Sequence, residues 1–273
     1  MPMIEAMQFD FMRNALAAGL LASIICGVIG TLVVVNRLVF LSGGIAHAAY
    51  GGIGLAFYFK WPYLPGTIGF SLAAAMLMAF VSHTVKHRSD TIVGVIWAVG
   101  MAFGIILLDL TPGYNVDLMS YLFGIILTVP SSDLIVMTVV GVVITALVFF
   151  YYPDLLAMSY DEEFARIRGV PVKALYFGLI GMLAVTIVLV IQVVGLILVI
   201  ALLTIPPFIV EKYAKSLAQM MVGSSILGSV FTLVGLWLSY QYDLTSGATI
   251  IMVSGSAFVT SLLIDRFGFK GSS

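Results

Sequence analysis

A histidine inside an apolar run is the first residue here that could do chemistry. His47 lies in Leu41-Ser42-Gly43-Gly44-Ile45-Ala46-His47-Ala48-Ala49. Its imidazole is a borderline nitrogen ligand suited to zinc, iron or manganese, and ionisable groups inside membrane segments are usually functional. Gly43, Gly44, Gly51, Gly52 and Gly54 strip side chains from the same segment, so a neighbouring helix or a permeating ion can come close. The plainer alternative is that these glycines only pack helices and His47 bonds a backbone carbonyl. From the residues alone both readings stand.

Acids and a capped loop come next. Asp109 and Asp117 flank the Pro112–Gly113 turn; they form either an electronegative mouth that draws a divalent cation or ordinary solvated loop acids. His83 and His87 stand at i, i+4, a metal-holding spacing, but Lys86 and Arg88 beside them fit a basic helix end better. The stretch Asp161-Glu162-Glu163-Phe164-Ala165-Arg166-Ile167-Arg168-Gly169-Val170-Pro171 opens acidic, turns basic and stops on Gly-Val-Pro, which is how a short capped helix is written. Phe164 and Ile167 give it an apolar ridge. Such a helix either lies among lipid headgroups or docks into a groove on a cytoplasmic partner and relays motion as a rigid body. Gln192 is expected to satisfy backbone in a hairpin, and Glu211 to pair with Lys212 at a span end.

Several chemistries are missing. No G-x-x-x-x-G-K-[ST] phosphate loop and no H-E-x-x-H is present, and no Ser/His/Asp set falls at one depth. Sparse ligands do not argue against ion transport. An ion that must leave needs weak or multi-site binding, and a full His/Cys cage would trap it.

The elements that position these residues follow from composition. Of 273 residues, 62% are hydrophobic and 9% charged, against about 25% charged in a soluble protein. A soluble enzyme, a secreted disulfide scaffold and a disordered chain are excluded. The single Cys, Cys26, forms no intrachain disulfide, and a net charge of −1 argues against nucleic acid as a partner. Apolar runs near 11–36, 44–59, 65–85, 92–109, 133–152, 174–192, 195–211, 217–239 and 246–265 predict about nine spans. The run Met119 to Val129 is too short to cross and predicts an interfacial or re-entrant half-helix.

Basic residues orient these spans. With the N-terminus outside, Arg37, Lys86, Arg88, Arg166, Arg168, Lys173, Lys212, Lys215, Arg266 and Lys270 fall on the cytoplasmic side, and only Arg13 and Lys60 fall outside. The first run is kept as a span and not a signal peptide, because Glu5 and Asp10 precede Arg13. One transmembrane domain is expected over 1–273, all-α, N-out and C-in.

Four stretches in order resemble the permease subunit of ABC-type importers of zinc, manganese or iron. Leu41 to Gly54 is similar to the family's Ser-His-Ala segment. Asp90-Thr91-Ile92-Val93-Gly94 resembles the acidic start of its next span. Tyr121-Leu122-Phe123-Gly124-Ile125-Ile126 resembles its short extracytoplasmic helix, near 118–129. Asp161 to Val170 resembles its coupling helix, near 158–170. The resemblance implies a type II importer-like fold in a prokaryotic plasma membrane, and a homodimer or close heterodimer. It also implies a cytoplasmic ATPase subunit that binds ATP and an extracytoplasmic metal-binding protein. It implies Asp161, Glu163, Ala165 and Gly169 as contacts to the ATPase, and no enzyme site in this chain. The family pattern has Asp four residues before the His and Ser immediately before it; here these positions are Gly43 and Ala46. On this reading His47 is a transient ligand, and Asp109 and Asp117 draw the cation. Two rivals remain: the same architecture carrying a siderophore or corrinoid, and a secondary transporter that needs no ATPase.

Overall fold

Long apolar runs punctuated by Gly, Pro and isolated charges become helices, and a computed structural model describes residues 8–85, 88–112, 122–124 and 126–268. The helices are α1 (Asp10–Val35), α2 (Val39–Tyr58), α3 (Tyr63–Thr84) and α4 (Ser89–Asp109). After the 3-10 turn Ile126–Thr128 come α5 (Ser131–Phe150), α6 (Tyr152–Tyr160) and α7 (Glu162–Ile167). The chain then runs through α8 (Val172–Val194), α9 (Leu196–Glu211), α10 (Leu217–Tyr242) and α11 (Ser246–Gly268). Among the described residues every regular element is helical, as backbone satisfaction in lipid requires.

Eight of these helices are long and apolar enough to cross a membrane; α9, with 16 residues, is shorter. At 1.5 Å per residue it covers about 24 Å, less than the roughly 30 Å hydrocarbon core. Its shortness has a visible cause. Gly195 breaks the α8–α9 hairpin at φ 84°, ψ 165°, and the segment 122–124 lies directly on the break. A Cβ on Gly195 would stand 2.3 Å from the Gly124 nitrogen, and one on Gly124 would stand 2.2 Å from the Val194 carbonyl carbon. The corner therefore turns inside the protein. The half-helix expected near 118–129 lies partly outside the described residues; its described remainder is Leu122–Phe123 in helical conformation and the 3-10 turn.

Packing divides the molecule into two sets. α2, α3 and α4 form one; α1, α9, α10 and α11 form the other, and α8 runs between them against α3, α2 and α1. The helices α1, α2 and α8 are mostly buried, while α5 is largely exposed. The exposed side chains of α5, such as Ile135, Val142 and Phe149, are apolar, so that surface is solvated by lipid and not by water. Polar groups inside the spans bond locally: Thr31 donates to the Gly27 carbonyl at 2.7 Å, and Ser23 lies 2.9 Å from Thr232 across α1 and α10.

The two ends of the molecule differ in charge. Asn36, after α1, donates to Ser159 of α6 at 2.9 Å, and the Tyr152 hydroxyl accepts from the Ala218 amide at the start of α10. Lys212, after α9, reaches Asp265 near the end of α11, and His83 of α3 lies beside Tyr176 of α8. These contacts gather Arg37, Arg88, Arg166, Arg168, Lys173, Lys212, Lys215 and Arg266 at one end. Arg13 and Lys60 are at the other. The ten-to-two grouping expected from sequence is thus kept by every described basic residue.

Candidate functional site

The glycines of α2 separate into two roles. A Cβ at Gly44 would meet Val93 of α4 at 2.8 Å, and one at Gly52 would meet the Thr67 backbone of α3 at 2.8 Å. One at Gly51 would strike the Phe70 ring at 2.3 Å, and Gly54 faces the Gly104 carbonyl at 2.4 Å. Gly52 and Gly54 bring backbones together, Gly44 and Gly51 make room for the Val93 and Phe70 side chains, and none of the four leaves room for an ion. Gly43 alone differs: nothing lies within 4 Å of a Cβ built there.

His47 lies one helical turn beyond Gly43, on the same face of α2. Its ring stacks on Trp97 of α4, with centroids 4.4 Å apart and planes 18° from parallel. Phe40 meets the same Trp97 side chain edge-on, with ring centroids 6.3 Å apart. The close α2–α4 crossing produces this stack, because the glycine contacts let the two helices approach along their length. His47 Nδ1 is buried and has no hydrogen-bond partner among the described residues. A neutral imidazole with its proton on Nε2 therefore carries a lone pair on Nδ1 with nothing to accept, a cost of about 1–3 kcal/mol for a buried polar atom. The carbonyl-bonding alternative has no counterpart at this nitrogen. Trp97 was missed from sequence; a Trp well inside a span, away from the interfacial belts where Trp gathers, was the available signal.

The acidic candidates do not join this site. Asp109 is exposed at the last turn of α4, about 18 Å along the helix from Trp97. A negative charge there opposes the helix macrodipole, so helix stability does not account for it. Asp117, like His87, lies outside the described residues. Asp133 was not singled out from sequence. It opens α5, where its charge suits the dipole, and accepts from Gln192 at 2.9 Å. Gln192 thus serves a side chain and not the backbone. Nearby, Asn14 donates to the Val129 carbonyl at 3.0 Å. Among the described residues no three His, Cys, Asp or Glu side chains come together.

The capped loop forms the helix expected of it. Asp161 is the N-cap, accepting from the Phe164 amide at 2.9 Å, and Glu162 and Arg166 form an ion pair along α7. Gly169 closes it at φ 81°, a left-handed position suited to Gly. Asp161, Glu163 and Gly169 are exposed. Ala165 is fully buried, which removes it from the outward-facing set: it is the residue that seats α7 on the bundle. The outward ridge is Phe164 and Ile167, exposed by 50% and 84%. Farther along the same end, Lys212 pairs with Asp265 and donates to Ser261 at 2.9 Å, not with Glu211 as expected.

The sequence matches the ABC 3 transport family over residues 8–265. An uncharacterized membrane protein of Synechocystis is 51% identical over 264 residues, covering 97% of this chain and 94% of that protein. The manganese transport system membrane protein MntC of Listeria monocytogenes is 31% identical over 257 residues, covering 94% of this chain and 91% of its own. Among solved structures, PsaBC from Streptococcus pneumoniae in complex with Fab superposes with a TM-score of 0.88 at 30% identity. It covers 97% of this chain and 96% of the other.

Proposed function

The chain belongs to the ABC 3 transport family, and from that premise we propose that it is the permease subunit of an ATP-driven importer of a divalent metal cation, with manganese, zinc and iron as the candidates. The observation that carries this reading is His47. It is a nitrogen donor without a partner, held by Trp97 beside the one open glycine position of a buried helix. A single imidazole binds a borderline cation weakly enough to release it, and water or a second chain supplies the remaining ligands. Asp109 and Asp117 draw the cation toward the mouth.

The basic end is cytoplasmic by the positive-inside rule, which puts α7 on the side where ATP is available. α7 presents Phe164, Ile167 and the exposed Asp161, Glu163 and Gly169 to an ATPase subunit. Nucleotide binding there moves α7 and, through α6 and α8, the spans on either side. An extracytoplasmic binding protein delivers the metal, and a second permease copy, identical or closely related, completes the path.

The test is metal uptake at limiting concentration. His47→Ala is expected to lower uptake at least tenfold while the protein assembles normally, since the side chain is only half-buried. Undiminished uptake removes His47 from the path. If a siderophore or corrinoid were the cargo, His47→Ala would leave its uptake unchanged.

A further inference from the structure

Two cavities at the basic end share a wall. The first, about 680 Å³, lies between the end of α3, α7 and the start of α8. His83, Arg166 and Lys173 line it together with Val172 and Phe177, and among the described residues no acidic side chain is part of the lining. Arg166 is engaged by Glu162, whereas Lys173 makes no ion pair among the described residues. The second, about 330 Å³, is a groove between the end of α5 and the outer face of α8. Leu147, Tyr151, Leu155, Gly178 and Met182 make it almost wholly apolar. Pro171 and Ala174 belong to both. The cationic cleft and the apolar groove therefore adjoin at the start of α8. A Cβ at Gly178 would meet nothing within 4 Å, so the channel floor is open.

We propose that this pair of cavities is a binding site for one anionic phospholipid. The headgroup phosphate sits among Lys173, His83 and Arg166, and one acyl chain lies along Ala174, Gly178 and Met182. The occupant is identified by complementarity at both ends. A phosphodiester matches cationic donors between helices near the headgroup level, and an acyl chain matches a channel with no hydrogen-bonding side chain but Tyr151. A free phosphate would leave the apolar half unfilled; a zwitterionic lipid would gain little from the charges. Position gives the lipid a role, because it joins α3, α7 and α8 at the base of the proposed coupling helix. The site rests on the membrane-spanning fold and not on the metal reading.

The full chain, reconstituted into nanodiscs with equal phosphatidylglycerol and phosphatidylcholine and re-extracted gently, is analysed by native mass spectrometry for retained lipid. Phosphatidylglycerol is expected to be enriched about fivefold or more over phosphatidylcholine, near the effect of one cationic side chain on an anionic headgroup. His83→Gln with Lys173→Gln should abolish the enrichment. Gly178→Leu, which fills open space and leaves the charges in place, should lower retention of both lipids severalfold, and it tests the site even if the double variant does not assemble. Equal retention of the two lipids, or retention unaffected by Gly178→Leu, overturns the proposal. So does displacement of the lipid by millimolar inorganic phosphate, which would identify a simple anion site.

Discussion

Gly43 and His47 face the same way on α2, yet only one carries a side chain that can bind a cation. Whether the space over Gly43 belongs to a path or to lipid can be tested by filling it. A carboxylate facing hydrocarbon costs about 2.5–3.5 kcal/mol at the centre of a span; one facing a hydrated path costs far less. Gly43→Asp is expected to change stability in detergent by less than about 1 kcal/mol and to tighten metal retention at least tenfold by adding a second ligand. Loss of about 3 kcal/mol without tighter binding would mean the position faces lipid. His47 was legible in the sequence because an ionisable group in an apolar run is conspicuous. Trp97 was not, because the α2–α4 pairing that stacks the two rings joins segments fifty residues apart. No local pattern encodes that pairing.

Helices in this chain are positioned by backbone contact where glycines meet and by apolar ridges where they do not. Gly104 illustrates the first: a Cβ there would lie 2.2 Å from the Tyr50 carbonyl oxygen. Gly104→Val is expected to force α4 from α2 and lower stability by about 3 kcal/mol, measured by thermal unfolding in detergent. Gly94→Ala, on the same helix with open space around it, should be neutral or slightly stabilising. If the two variants unfold alike, the close crossing is not what holds α2 to α4. The proposed coupling helix, α7, presents an apolar ridge to the outside. Ile167 is 84% exposed, so Ile167→Asp should leave the permease intact, weaken ATPase binding by about 1–3 kcal/mol and uncouple hydrolysis from uptake. Normal coupling would place the docking surface elsewhere. The short helix was legible from its caps, Asp161 and Gly169. That Ala165 faces inward was not, since six residues are too few for periodicity to separate buried from exposed positions.

At the scale of the whole molecule, the basic residues and the lengths of the apolar runs foretold the spans and their alternation. Neither foretold the two packed sets, and the run 195–211 gave the short α9 its length but not the cause of it. Gly195 is one more glycine in an apolar run until segment 122–124 is seen lying across it, and that contact joins parts of the chain seventy residues apart. The arrangement has one path candidate at α2 and one relay candidate at α7, both packed against α8. In the proposed function the two work together as a single ATP-driven machine for a divalent cation. The most direct test is uptake of radiolabelled manganese and zinc by proteoliposomes holding this chain with the partners that co-purify from its native membrane. ATP-dependent uptake, carried with a stoichiometric phosphate-loop ATPase and lost in His47→Ala, is the predicted result. Uptake that follows a proton or sodium gradient and ignores ATP would contradict it.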